Sequence, residues 1–418
     1  MQDERPGLRR ALVALQHRDF RLFYGALVVA SLGQQVQATA NLWQIYEMTD
    51  SPLHLGLLGL TRGVPIIALS LMGGIVADRT DRRRLIMVTQ ALMAVISVVL
   101  GVLTATGAIA VWHLYAATLL TAALNAVNAP ARSALVPNLV PREHLLNALA
   151  LNSTIWQTAN IVGPALAGAS IAGLGLAPSY ALNGSAYIIS LGALALMCVG
   201  QVAARAPQSA LKSLLEGLAF VRYRSIILTL LAMDCAATFF GTYRVLMPVF
   251  ARDLGVGVEG LGLLLAAPAA GGLLGATIIM SLGDLRYKGL IVAGGILAYC
   301  VALVALALSP WFLLSLLVAG ALRLFDSLQA TPRSAVIQQI TPDDLRGRVS
   351  SFQTMLTNGV PPLGQTQIGA VASIAGAPLA LIAGAVACAA LVLGILARHP
   401  DLRAPDLGAL PESPRAPA

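Results

Sequence analysis

Two carboxylates stand inside long apolar runs of this sequence, where a charged side chain is costly. Asp234 lies in the run 226–251 and Asp326 in the run 311–331. A charge in the middle of a membrane helix costs about 2.5–3.5 kcal/mol on insertion scales, so an embedded carboxylate indicates a function. Apolar surroundings disfavour the charged form and bring proton uptake and release towards neutral pH. Both residues are therefore predicted to bind protons in a coupled process.

Three arginines also fall inside apolar runs, at Arg62, Arg244 and Arg323. Arg323 precedes Asp326 by three residues, so the two side chains share a helical face and can neutralise each other. A structural ion pair therefore explains Asp326 as well as proton coupling does. Asp234 has no such partner within its own run, and we expect it to be the main coupling residue.

Amide and aromatic side chains recur at helical spacing in several runs. Those in 20–46 and in 145–173 form one stripe each, and related amides recur late in the chain. The side chains predicted to line a wet substrate cavity are Gln34, Gln37, Asn41, Asn152, Trp156, Asn160, Tyr243, Arg244, Arg323, Gln353 and Asn358. Interhelical hydrogen bonding is the better explanation for any single amide, whereas several in register favour the cavity.

Twelve apolar segments hold these positions, each close to or above the ~20 residues that a membrane-spanning helix needs. They are 20–46, 54–77, 85–106, 111–131, 145–173, 178–201, 226–251, 259–282, 289–308, 311–331, 348–374 and 377–397. Of the 418 residues, 57% are hydrophobic and only 11% are charged. Soluble domains carry about 25% charged residues, so this composition indicates an integral membrane protein.

The positive charges indicate which loops face the cytoplasm. Most of the 27 lysines and arginines fall in alternate loops and at the two ends of the chain. The positive-inside rule then predicts a multi-pass protein of the inner (plasma) membrane with both termini in the cytoplasm. The formal net charge of +8 thus orients the chain in the lipid bilayer and does not indicate a nucleic-acid partner.

A repeat divides the chain into two halves. The tripeptide that begins at Arg132 recurs 201 residues later at Arg333, and Gly175 recurs as Gly376 at the same offset. Half-length repeats in apolar chains are typical of transporters whose two bundles move around a central site. We predict an all-α membrane protein of twelve helices in two pseudo-symmetric six-helix bundles. Its predicted parts are an N-terminal bundle 1–201, a cytoplasmic linker 202–225, a C-terminal bundle 226–397 and a disordered cytoplasmic tail 398–418.

Other classes of function lack their signatures in this sequence. The four cysteines lie one per apolar segment and the histidines show no ligand spacing, so we expect no metal site. A phosphate-binding loop of the Gly-x-x-x-x-Gly-Lys-Ser/Thr type does not occur, and no paired catalytic residues stand out. We expect a monomer that is not an enzyme and has no cofactor.

The loop between the second and third segments carries glycine, aspartate and arginine in a specific order. Gly74, Asp78, Arg79, Arg82 and Arg83 match the pattern Gly-x-x-x-Asp-Arg-x-x-Arg-Arg. By this loop, and over essentially the whole membrane part, the sequence resembles the major facilitator superfamily. The resemblance implies that the loop latches the cytoplasmic ends of the two halves and tunes the conformational switch.

Two further segments resemble branches of that superfamily. Gly163 and Pro164 are similar to the Gly-Pro motif of drug:proton antiporters, where the proline kinks the fifth helix. The stretch 132–143 is similar to the enterobactin-exporter and macrolide-efflux branch. The resemblance implies efflux of a bulky amphipathic small molecule, such as a drug or a siderophore, with protons as the coupling ion.

Two alternatives share part of this sequence evidence. A nutrient or lysophospholipid transporter would use the same fold for another substrate. A membrane sensor that transports nothing would tolerate neutralisation of Asp234, Asp326 and Arg323 without loss of activity.

Overall fold

The structure is a computed structural model that describes residues 13–198, 218–283 and 286–405, without the side chains of 70–79. Within these residues the secondary structure is helical and no strand occurs. Twelve α-helices of 16 residues or more follow one another along the described chain. In order, they are α1 (Arg18–Thr49), α2 (Pro52–Arg79), α3 (Arg82–Ala105), α4 (Val111–Leu135), α5 (Leu145–Leu174), α6 (Leu176–Ala195), α7 (Ser225–Phe240), α8 (Gly257–Leu282), α9 (Lys288–Ala307), α10 (Phe312–Ile340), α11 (Arg346–Ala375) and α12 (Ala377–Arg398).

The turn between the fifth and sixth helix of each half shows how the repeat fixes local structure. Gly175 follows α5 with a φ of 90°, and Gly376 follows α11 with a φ of 86°. L-residues with side chains rarely adopt this region, so both turns require glycine. Each glycine N–H donates at 2.9 Å to a carbonyl of the preceding helix, that of Ile171 or of Ala372. The same helix–glycine–helix turn therefore occurs in both copies of the repeat.

Seven helical stretches of the described residues are long and apolar enough to cross a membrane, judged by length and composition. They are Pro52–Leu69, Arg82–Ala105, Ser225–Asp253, Gly257–Leu282, Lys288–Ala307, Phe312–Ile340 and Ala377–Arg398. Other long helices carry more polar side chains. In α1, for example, five amide side chains lie between Gln34 and Gln44.

The seventh apolar run contains a break. α7 ends at Phe240, and a separate short helix, Met247–Asp253, follows it. The hydroxyl of Tyr299 donates to the carbonyl oxygen of Gly241 at 2.6 Å, which satisfies an acceptor at the helix end. The run 226–251 is therefore an interrupted stretch and not the continuous helix that its composition predicts.

The chain forms two compact units. The first comprises Met1–Met48 with Val64–Gln208, and the second comprises Thr49–Gly63 with Ser209–Ala418. The start of α2 therefore belongs to the unit that holds α7 to α12. The bundle limits of 1–201 and 226–397 stay a prediction, and most of the linker 202–225 lies outside the described residues.

The first residues of the predicted tail are ordered. Leu402 lies in the short 3-10 helix Pro400–Arg403 and is buried. Its carbonyl contacts Gly289 at the start of α9 so closely that a side chain at Gly289 would not fit. Residues 406–418, the remainder of the tail, lie outside the described residues.

Small residues let α8 and α9 approach α10 closely in the second unit. A side chain at Gly271 of α8 would collide with the backbone of Gly320. On α9, a Cβ at Gly295 would lie only 3.0 Å from the Cβ of Gln329. These contacts hold α10 on two sides and fix the position of its polar face.

Candidate functional site

Four charged and polar side chains follow one face of α10. Arg323, Asp326, Gln329 and Arg333 are three or four residues apart, which places them in one row along the helix. Arg323 Nη1 forms an ion pair with Asp326 Oδ2. Gln329 Nε2 donates to Asp326 Oδ1 at 2.9 Å, and Arg333 Nη1 donates to Gln329 Oε1 at 2.7 Å. The row is therefore a continuous chain of hydrogen bonds.

Asp234 on α7 extends this row to a second helix. Its Oδ1 pairs with Arg333 Nη1, although 99 residues separate the two in sequence. Asp234 and Arg333 are 7% and 5% exposed, whereas the side chains of Arg323 and Asp326 are 55% and 31% exposed. We call Asp234, Arg333, Gln329, Asp326 and Arg323 the polar relay. Within the second unit it leads from an exposed end to a buried ion pair.

The buried ion pair is costly to maintain. Taking two charges out of water carries an effective penalty of several kcal/mol per ion, which their attraction offsets only with excellent geometry and further hydrogen bonds. The Nε atom of Arg333 is buried and has no hydrogen-bond partner among the described residues. Such a pair adds little net stability to a protein. The presence of Asp234 inside an apolar run therefore favours a functional role for the pair.

The structure brings together the carboxylates that the sequence singles out. Asp326 pairs with the arginine three residues before it, as the spacing predicts, and Asp234 lies at the far end of the relay. Sequence reasoning missed Arg333 and Gln329 as site residues. The apolar run ends two residues before Arg333, whereas α10 continues to Ile340. The sequence could have indicated Arg333, because its spacing places it on the same helical face as Asp326.

The break after α7 holds two predicted cavity positions, Tyr243 and Arg244. Arg244 begins a 3-10 turn and is exposed, whereas Tyr243 is buried. Their part in a cavity stays a prediction.

The amide stripe of α1 forms hydrogen bonds between helices of the first unit. Gln37 bonds to Ser97 on α3 and to Asn183 on α6, and Asn183 Nδ2 donates to Ser97 Oγ at 2.6 Å. Asn41 Oδ1 accepts a hydrogen bond from the hydroxyl of Tyr180 at 2.9 Å. All five side chains are buried. Gln37 and Asn41 thus join helices through their amides, and their part in a cavity stays a prediction.

Loss of the Gln37 amide is expected to destabilise the first unit without weakening substrate binding by the folded protein. Gln37→Ala deprives Ser97 and Asn183 of a buried partner, at a cost of about 1–3 kcal/mol. Thermal melting of the purified protein measures this loss, and Ser185→Ala, which removes an exposed hydroxyl from α6, is the control. If the Gln37→Ala protein has normal stability but binds substrate weakly, Gln37 lines the substrate cavity.

The polar stripe of α5 meets Gln35 of α1. Gln35 Nε2 donates to Asn160 Oδ1 at 2.5 Å, and Gly163 leaves room for the stem of Gln35 to pass beside α5. Trp156 is 42% exposed, and the guanidinium carbon of Arg132 lies 5.2 Å from its ring centroid. Asn160 thus joins two helices. Part of the Trp156 side chain remains exposed, and Trp156 stays a predicted cavity residue.

The remaining predicted cavity positions present partly or fully exposed side chains. Gln34, Asn152 and Gln353 are half-buried, and Asn358 is exposed. Their part in a cavity stays a prediction. Pro164 of the Gly-Pro motif lies inside α5, and its role as a kink also stays a prediction.

Two arginines of the predicted switch loop, which lie at the start of α3, contact the ends of other helices. Arg82 Nη1 donates at 2.9 Å to a carbonyl near the end of α4, and Arg83 donates at 2.9 and 2.7 Å to two carbonyls at the end of α6. Carbonyls at helix ends lack partners within the helix, so these contacts satisfy them. The side chains of Gly74, Asp78 and Arg79 lie outside the described residues, and the latch stays a prediction.

Comparison with known proteins identifies relatives along almost the whole chain. The model of a family described as "transmembrane secretion effector" matches residues 10–416. The multidrug efflux pump Tap of Mycolicibacterium fortuitum is 27% identical over 403 residues, which are 92% of this chain and 97% of that protein. The enterobactin exporter EntS of Shigella boydii is 25% identical over 391 residues, which are 91% of each chain.

Solved transporter structures share the fold. A bacterial homologue of the human lysosomal transporter Spinster, inward-facing and unoccupied, matches with a TM-score of 0.66 and 15% identity over 95% of this chain and 99% of that one. The nucleoside transporter NupG matches with a TM-score of 0.70 and 14% identity over 90% of this chain and 99% of that one. At these identities the likeness concerns the fold alone.

Proposed function

Because this chain belongs to the transmembrane secretion effector family of the major facilitator superfamily, we propose that it exports a bulky amphipathic compound, such as a drug or a siderophore. The family consists of multi-pass membrane transporters, so the chain is a transporter and not an enzyme. Support for export comes from relatives named as a multidrug efflux pump and as an enterobactin exporter, each matched over at least 91% of this chain.

The buried pair of Asp234 and Arg333 is the observation that carries the second part of the proposal, coupling to protons. The positive charge of Arg333 stabilises the ionised form of Asp234, and a proton on the carboxylate removes this attraction, so Arg333 and a proton compete for Asp234. A protonated Asp234 releases Arg333, which keeps its hydrogen bond to Gln329. The two helices α7 and α10 thus have one arrangement with the ion pair and another without it.

The polar relay provides a path between water and this pair. Asp326 is partly exposed, and Gln329 bridges it to Arg333 by direct hydrogen bonds. We propose that Asp326 exchanges protons with water and that the relay transmits the change of charge to Asp234. Proton entry would then favour one facing state, and proton release would favour the other.

The topology that we propose places both termini in the cytoplasm of a monomer with two six-helix bundles. The support is the positive-inside pattern of the loops and the half-length repeat. In this orientation the protons move into the cytoplasm while the substrate leaves it.

Expression of the chain in bacteria that lack their own efflux pumps is expected to lower the accumulation of at least one amphipathic drug or dye several-fold. Export against a gradient requires energy, and a protonophore that collapses the proton gradient should remove the difference. Uptake and susceptibility are measured over a panel of compounds. Failure to affect any compound would argue against export. If accumulation stays low in the presence of the protonophore, export stands and only the proposed coupling to protons fails.

A further inference from the structure

Two arginines of the second unit have no acidic partner among the described residues. Arg62 lies on α2 and Arg244 in the break after α7, and both are exposed. Among the described residues, neither one forms an ion pair or a side-chain hydrogen bond. Within the described chain, two positive charges in or beside apolar segments are therefore not neutralised by a carboxylate.

The segments that carry the two arginines pack on the same turn of α11. The glycine that follows Arg62 packs directly on Pro362, where the helix has no room for a side chain. Thr242, two residues before Arg244, lies so close to Gly364 that an added Cβ would be 2.8 Å from its Oγ1 atom. The backbones beside Arg62 and Arg244 therefore meet α11 two residues apart.

Arg62 lies inside an apolar stretch. It is ten residues into α2, about 15 Å along the axis at ~1.5 Å per residue, and is still further from the other end of the helix. The stretch Pro52–Leu69 around it is long and apolar enough to cross a membrane. Hydrocarbon does not solvate a guanidinium, so a charged Arg62 requires water or an anion beside it.

We propose that Arg62 and Arg244 bind an anionic group of the exported compound. The inference rests on the proposed export function and names its substrate class, an amphipathic molecule with a carboxylate, sulfonate or comparable oxyanion. Guanidinium groups bind such oxyanions through paired N–H donors, with shorter and stronger hydrogen bonds than neutral donors make. The excess positive charge then has a partner whenever substrate is bound.

A pair of amphipathic ions with the same apolar chain tests the proposal directly. Decanesulfonate and decyltrimethylammonium carry the same ten-carbon chain and opposite charges, and only the sulfonate has oxygen acceptors. Their binding to the purified full chain in uncharged detergent is measured by calorimetry. Decanesulfonate is expected to bind at least tenfold more tightly. Arg62→Gln and Arg244→Gln should each reduce that preference about tenfold, whereas Arg62→Lys should keep it in part. Arg346→Gln, which breaks an exposed ion pair with Asp343, is the control and should keep it in full.

Equal binding of the two ions to the wild type, or a preference that survives in both glutamine variants, would overturn the anion site. Size-exclusion profiles of Arg62→Lys and Arg62→Gln separate misfolding from loss of charge. The proposed function is judged separately by the cellular export panel. A chain that exports cationic drugs but shows no preference for decanesulfonate would remain an exporter without an anion site.

Discussion

Proton-driven export is expected to fall by at least ~100-fold when asparagine replaces Asp234, which is at the lower end of what a single proton-transferring group contributes. Asparagine has the size of aspartate and still accepts a hydrogen bond from Arg333, but it cannot bind the proton. Export against a gradient therefore stops, whereas binding of substrate and its exchange across the membrane without a gradient continue.

The rate of export per folded molecule in everted membrane vesicles measures this effect. Asp343→Asn is the matched control, because Asp343 forms an exposed ion pair with Arg346 outside the polar relay. The control should export at the wild-type rate. Wild-type export by Asp234→Asn, after correction for the amount of folded protein, would exclude Asp234 as the coupling residue.

Arg333→Gln is expected to lower the free energy of unfolding by about 3–5 kcal/mol, because it leaves the buried charge of Asp234 without its partner. Asp234→Asn leaves the guanidinium uncompensated and is expected to cost a similar amount. The double variant Asp234→Asn/Arg333→Gln removes both charges and should recover most of the lost stability. It should nevertheless remain unable to export against a gradient.

Thermal melting of the four proteins in detergent gives the double-mutant cycle, which isolates the energy of this one pair. Arg323→Gln is the comparison, because Arg323 is exposed and its pair with Asp326 should contribute about 0–1 kcal/mol. Equal losses for Arg323→Gln and Arg333→Gln, or a double variant as unstable as the sum of the single ones, would show that the pair is not buried as described.

Much of the fold follows from patterns in the sequence. Long apolar segments and scarce charges predict a helical membrane protein, and the repeat predicts two related halves. The family and the all-α major facilitator fold are both confirmed. The turns at Gly175 and Gly376 illustrate why the repeat is informative. Both turns need a backbone conformation that only glycine readily adopts, so glycine occurs at this position in both copies.

The site was predictable only in part, because its central contact joins residues far apart in sequence. Rules of helical spacing act within one helix, so they predict the pair of Asp326 with the arginine three residues before it. No local rule connects Asp234 with Arg333 across 99 residues. The amides of α1 show a second limit. Gln37 has the same spacing whether it lines a cavity or joins helices, and only its contacts with other helices decide between these roles.

The most direct test of the central claim, that Asp234 binds the coupling proton, is proton movement itself. The full chain is reconstituted in liposomes that contain a pH-sensitive dye, and a compound exported in the cellular panel is added. The wild type and Asp343→Asn are expected to move protons when this compound is added. Asp234→Asn/Arg333→Gln should move none while it still exchanges the compound. Undiminished proton movement by that double variant would contradict the account.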